Sequence, residues 1–114
     1  MSKRSKVSKN TFIDIKTEDV KDLMAIELAC QPHPWSEKTF ASCIGGRYFA
    51  QMCVRSNEHT ERHANTAIGF YVGENVAGEA TLMNICVKPS EQGKGLGKIL
   101  LNQFLTQAKK QGVR

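Results

Sequence analysis

The segment Gln92-Gly93-Lys94-Gly95-Leu96-Gly97-Lys98 constrains this chain more than any other. An apolar run ends before it at Val87-Lys88-Pro89, where proline stops a strand. After it, Leu100, Phe104 and Ala108 recur four apart, as do Leu101 and Leu105. That period predicts a helix from about Gly97 to Gln111 with a broad apolar stripe, and Gly112 is a stop signal. The turn is therefore expected between a strand and a helix. Free backbone N–H groups at a helix start and the helix dipole form an anion site. Glycines let a phosphate approach the backbone, and Lys94 and Lys98 add positive charge.

The glycine spacing narrows the ligand. A Walker-type loop needs four residues between Gly and Gly-Lys, followed by Ser or Thr. Here three residues separate Gly93 from Gly97-Lys98, and Ile99 follows, so no hydroxyl is offered to magnesium. Gly93, Gly95 and Gly97 read G-x-G-x-G, which fails the dinucleotide pattern G-x-G-x-x-G. The pattern that fits is Q-x-x-G-x-G, from Gln92 through Gly95 to Gly97.

Upstream, Thr11–Lys16 alternates apolar and polar residues and reads as a strand. Thr17 is the expected cap of a helix whose stripe is Val20, Leu23, Met24 and Leu28, running to about Cys30. Pro32 and Pro34 break it. Ser36 is the expected cap of a short helix to about Ile44, closed by Gly45-Gly46. Arg47–Arg55 places Tyr48, Ala50, Met52 and Val54 on one strand face. Ile68, Phe70 and Val72 alternate in a third strand, and residues 78–87 form a fourth.

At 114 residues the chain fits one domain. Its formal charge of +5 suggests a polyanion partner until it is located. Lys3, Arg4, Lys6 and Lys9 sit in the first ten residues with no acid, while the rest carries 12 basic and 11 acidic side chains. Residues 1–10 read as a solvated, disordered basic tail, with electrostatic attraction to an RNA as the alternative. No specific nucleic-acid partner is expected. No run approaches the roughly 18 apolar residues of a membrane span. Cys30, Cys43, Cys53 and Cys86 form no C-x-x-C pair and read as reduced thiols in a cytoplasmic protein.

The turn, its flanking strand and helix, and the segments Pro34–Phe40 and 78–87 resemble the GNAT acetyltransferase family over residues 11–114. Within it they are similar to the branch that acetylates the N-terminal alanine of ribosomal proteins. The resemblance implies an α+β (α/β) fold with a mixed central sheet flanked by helices. It implies acetyl-coenzyme A as cosubstrate, no metal, and a protein N-terminus as acceptor. The backbone of Ile85, Cys86 and Val87 would bind the pantetheine arm. Gln92, Gly93, Lys94, Gly95, Leu96, Gly97 and Lys98 would hold the pyrophosphate, and Trp35 would lie near the acceptor groove. The family's catalytic Glu on a fifth strand and Tyr on the next helix are expected beyond Arg114, so the domain is read as cut after its third main helix.

Other candidates are weaker. Glu79 is an acid in an apolar strand and reads as solvent-facing rather than as a base. His59-Thr-Glu61-Arg-His63 does not match H-E-x-x-H and is not expected to hold zinc. His33, between two prolines, reads as a loop residue. Two functions stay open: an N-terminal acetyltransferase, and a non-catalytic module that binds coenzyme A or a protein partner.

Overall fold

The computed structural model describes residues 9–56 and 66–112. Four strands, β1 (Lys9–Asp14), β2 (Tyr48–Ser56), β3 (Ala67–Val76) and β4 (Glu79–Val87), form one sheet in the order β1-β2-β3-β4. All three pairings are antiparallel, so the described strands contain no parallel pair. Helices α1 (Val20–Cys30) and α2 (Glu37–Ser42) cover one face, and α3 (Leu96–Lys110) covers the other.

The two faces carry separate apolar clusters. Val20, Leu23 and Ile26 of α1 and Phe40 of α2 pack on Met52, Val54, Phe70, Val72 and Cys86. Leu96, Leu100 and Phe104 of α3 pack on Cys53, Ile68 and Tyr71. Every residue from Ala67 to Gly73 is buried, because β3 has a strand on each side and helices on both faces. Leu23, Phe40, Met52, Phe70 and Leu100 have no exposed surface. Each contributes about 1.5–3 kcal/mol through burial.

Three details depart from the sequence pattern. Alternation predicts Ile68, Phe70 and Val72 on one face, yet Ile68 faces α3 while Phe70 and Val72 face α1. The pairing jumps from Cys53–Gly69 to Val54–Ala67, so Ile68 is an extra residue and the strand turns over there. In α1 the buried stripe is Val20, Leu23, Ile26 and Glu27, and Leu28 is 61 % exposed. Leu101 and Leu105 of α3 are exposed, so its buried stripe is the narrower Leu96, Leu100, Phe104 and Ala108.

Local start signals differ in their outcome. Ser36 caps α2 as expected, its Oγ accepting the Thr39 N–H at 3.1 Å. Thr17 is not the cap of α1. A 3-10 turn, Thr17–Asp19, precedes that helix, and the Lys16 N–H donates to the Asp19 carboxylate at 2.8 Å. After α3, Gly112 takes φ +80° and its N–H closes on the Lys109 carbonyl at 3.0 Å.

Candidate cofactor site

The site begins where β4 ends. After Val87 a 3-10 turn, Pro89–Glu91, redirects the chain, and the Gln92 amide folds back to donate to the Val87 carbonyl at 3.0 Å. Gln92 thus fixes the turn against the strand. Gly93 and Gly95 then take φ of +82° and +85°, a region costly for residues with a Cβ. Gly95 is the N-cap of α3, and its carbonyl accepts the Ile99 N–H at 3.2 Å. The N–H groups of Leu96, Gly97 and Lys98 lie in the first helical turn, where no intrahelical acceptor exists. A Cβ at Gly93 or Gly95 would meet nothing within 4 Å, and one at Gly97 only Val87 Cγ2 at 4.0 Å. The backbone is therefore open to a ligand.

A charge brace flanks the turn. Arg55 at the end of β2 holds both Glu91 oxygens, with Nη2–Oε1 at 2.6 Å and Nη1–Oε2 at 3.3 Å. Lys94 Nζ lies 3.5 Å from the same carboxylate. The Arg55 hydrogen bond holds the Glu91 carboxyl below the usual glutamate value, and Glu91 in turn raises Arg55.

An open, mostly apolar cavity of about 470 Å³ joins the turn to the strand. Of the residues singled out in the sequence, Ile85, Val87, Gln92, Gly93, Gly95, Leu96 and Gly97 line it. Lys94 and Lys98 are exposed on the turn outside its lining. The Cys86 side chain lies on the opposite face, buried against the α1 cluster. Burial pushes its thiol well above the ordinary range. Trp35 also lies away from the cavity, half-buried and edge-on to Phe40 at 5.6 Å between ring centroids. Glu79 is exposed at the first position of β4 and His33 is exposed in its loop. His59, Glu61, His63 and residues 1–8 of the basic tail lie outside the described residues, while Lys9 and Asn10, read as part of that tail, open β1. Among the described residues no group of three His, Cys, Asp or Glu side chains could hold a metal ion, and no helix is long and apolar enough to cross a membrane.

Sequence reasoning missed Cys30, Leu82, Glu91 and Leu101, which also line the cavity. It missed Glu27 as well. That carboxyl group is 1 % exposed and accepts from the Trp35 N–H at 2.8 Å and the Asn84 amide at 2.8 Å. One signal was available: position 27 follows 20 and 23 on the apolar face of α1, where an acid is out of place.

The described strands form a four-stranded antiparallel sheet whose last strand runs through a glycine turn into the N-terminus of a helix. The family model "Acetyltransferase (GNAT) family" matches residues 20–114, and the chain belongs to that family. It is 38 % identical over 104 residues to the [Ribosomal protein bS18]-alanine N-acetyltransferase of Escherichia coli (strain K12), covering 91 % of this chain and 65 % of that protein. The protein of the same name from Haemophilus influenzae is 35 % identical over 100 residues, covering 88 % and 63 %. The crystal structure of the ribosomal-protein-S18-alanine N-acetyltransferase from Escherichia coli superposes with a TM-score of 0.77 at 36 % identity, covering 92 % of this chain and 63 % of that one. The chain thus spans just under two thirds of the length of these relatives.

Proposed function

We propose that this chain is the acetyl-coenzyme A-binding portion of an N-terminal acetyltransferase that transfers acetyl to the N-terminal alanine of a ribosomal or similar protein. One observation carries the reading: the glycine turn at the start of α3 opens onto an apolar cavity that runs along β4. Coenzyme A has the matching profile, a pyrophosphate joined to a long, mostly uncharged arm. The N–H groups of Leu96, Gly97 and Lys98 would hold the pyrophosphate, with Lys94 and Lys98 adding charge. Ile85, Leu82 and Val87 would flank the arm, and the backbone of Ile85–Val87 would orient it.

Acetyl transfer needs a neutral amine, a thioester held in line, a donor for the developing oxyanion and a proton for the departing thiolate. A backbone N–H of β4 is the expected oxyanion donor. Binding at the turn, remote from the reacting carbon, positions the acetyl group. A protein α-amine has a reference pKa of about 7.7–8.0, against about 10.4 for lysine, so it needs only a weak base. The similarity to the alanine acetyltransferases supports this acceptor, and the four free cysteines fit a reducing, cytoplasmic setting. A second reading, a coenzyme A-binding module without catalysis, draws on one fact. The cavity's only carboxylate among the described residues is Glu91, already engaged by Arg55.

Calorimetric titration of acetyl-coenzyme A, ATP and NAD into the chain tests the reading, with acetyl-coenzyme A expected to bind best. Gly97→Asp fits sterically and suits a helix start, yet sets a negative charge where the pyrophosphate would lie. It should retain the fold and lose binding. A Gly97→Asp chain that binds acetyl-coenzyme A like the parent would show that the turn is not the site. Turnover of a peptide separates the enzyme from the silent module.

A further inference from the structure

We propose that Glu27 is a positioning residue: it locks the Pro32–Trp35 loop to strand β4, and so sets the acceptor side of the site against the cofactor side. The proposal rests on the reading of Trp35 as part of the acceptor groove.

An apolar residue at position 27 would complete the α1 stripe without burying a carboxyl group. A buried carboxyl group persists only where donors surround it. Here three converge: the Trp35 backbone N–H on Oε2 at 2.8 Å, and the Asn84 amide at 2.8 Å and Cys86 Sγ at 3.5 Å on Oε1. They come from two separate segments. Trp35 closes the loop that leaves α1, and Asn84 and Cys86 belong to β4.

The loop is held at its other end too. Gln31, the residue that caps α1, donates through Nε2 to Asn84 Oδ1 at 2.6 Å. Asn84 therefore uses both ends of its amide: its oxygen accepts from Gln31 before the loop, and its nitrogen donates to Glu27, which in turn accepts from Trp35 at the loop's end. It also sits at an irregularity. Pairing jumps from Val72–Asn84 to Gly73–Leu82, leaving Met83 as the extra residue of β4. Its neighbour Ile85 lines the cofactor cavity. A bulged strand lacks the full ladder that would hold it in place. Glu27 and Asn84 supply that constraint from below and hold the loop in the same network.

Glu27 is too deeply buried to meet a substrate, so its action is indirect. Asn84→Asp sets two carboxylates against each other at this contact. Glu27→Gln combined with Asn84→Asp restores a donor and an acceptor there. The amide introduced on α1 donates to the carboxylate introduced on β4, and its carbonyl oxygen still accepts from the Trp35 N–H. Glu27→Leu is an apolar variant of similar size that leaves the Trp35 N–H without its acceptor. Trp35 is the only tryptophan, so its fluorescence reports on the loop directly.

The experiment measures Trp35 quenching by acrylamide, coenzyme A affinity, and affinity for a peptide with N-terminal alanine in the presence of coenzyme A. Asn84→Asp and Glu27→Leu should make Trp35 more quenchable and weaken the peptide by about tenfold or more, with coenzyme A affinity changed by less than about threefold. The double swap should restore both readouts. Equal loss of both ligands would reduce Glu27 to a general fold residue and overturn the proposal. So would unchanged peptide binding, or a double swap no better than Asn84→Asp. A parent chain that binds no coenzyme A would sink the functional reading instead, while the quenching series still decides whether Glu27 holds the loop.

Discussion

Phe49 of β2 and Phe104 of α3 stack in parallel planes, 5.5 Å between centroids and 4° from parallel, over Gly73 of β3. A Cβ on Gly73 would come within 2.7 Å of each ring. The glycine leaves room for both rings, and so lets the middle of α3 lie close to the sheet.

Gly73→Ala should therefore destabilise the chain by about 1–3 kcal/mol, as one ring is pushed aside. Gly69→Ala should cost more, because its Cβ would lie 2.8 Å from the Cys86 carbonyl, a backbone atom that cannot rotate away. Gly97→Ala should leave stability unchanged or raise it by up to about 1 kcal/mol, since its site is open and helical. Urea unfolding of the three variants checks the order.

Arg55 braces the turn from a neighbouring strand, so Arg55→Ala should lower coenzyme A affinity by about three- to tenfold, more at low than at high salt. The Glu91 carboxyl is held below the ordinary glutamate value, chiefly by the Arg55 hydrogen bond. A depressed acid contributes its contact at all pH values above its unfolded pKa and loses it as pH falls through the folded one. The brace should thus be intact at neutral pH and fail only below the usual glutamate range. In Arg55→Ala, the Glu91 titration seen by NMR should move up towards that range.

The cysteines should separate by reactivity. Burial pushes the Cys53 thiol up to about 11 and raises Cys86 further, so both carry little thiolate near neutral pH. Cys30 is half-buried and lines the cavity. Iodoacetamide should label Cys30 ahead of Cys53 and Cys86, and coenzyme A should protect it. Peptide mapping by mass spectrometry gives the order, and equal labelling with and without coenzyme A would place the ligand elsewhere.

The acceptor prediction concerns the proposed acetyl transfer. Modification of a peptide with a free N-terminal alanine should increase with pH through the α-amine range of about 7.7–8.0. The same peptide with a blocked terminus and free lysines should stay unmodified. Mainly lysine-acetylated products in mass spectra would reject an N-terminal acceptor.

The glycine turn was legible because its determinants are local. Positive φ at Gly93 and Gly95, a stop at Pro89 and a helix period after Gly97 are each set by residues within a few positions. The α2 cap was legible for the same reason. Glu27 was not, since a helix turns by about 100° per residue and a one-residue error in phase exchanges it with Leu28. The turnover of β3 at Ile68 was hidden likewise, because a bulge depends on the partner strand.

The sequence by itself determined the strand–glycine turn–helix unit and the alternating elements before it. These follow from short-range sterics and hydrogen bonding. Only the tertiary structure decided that Cys86 faces away from the cavity, that Trp35 lies apart from it, and that a buried carboxyl group joins the Pro32–Trp35 loop to β4. Those outcomes depend on how α1 packs on the sheet and on the break in β3–β4 register beside which Glu27 and Asn84, 57 residues apart in the chain, meet. Burial makes each such polar group find a partner, and only the packed fold determines which partner is within reach.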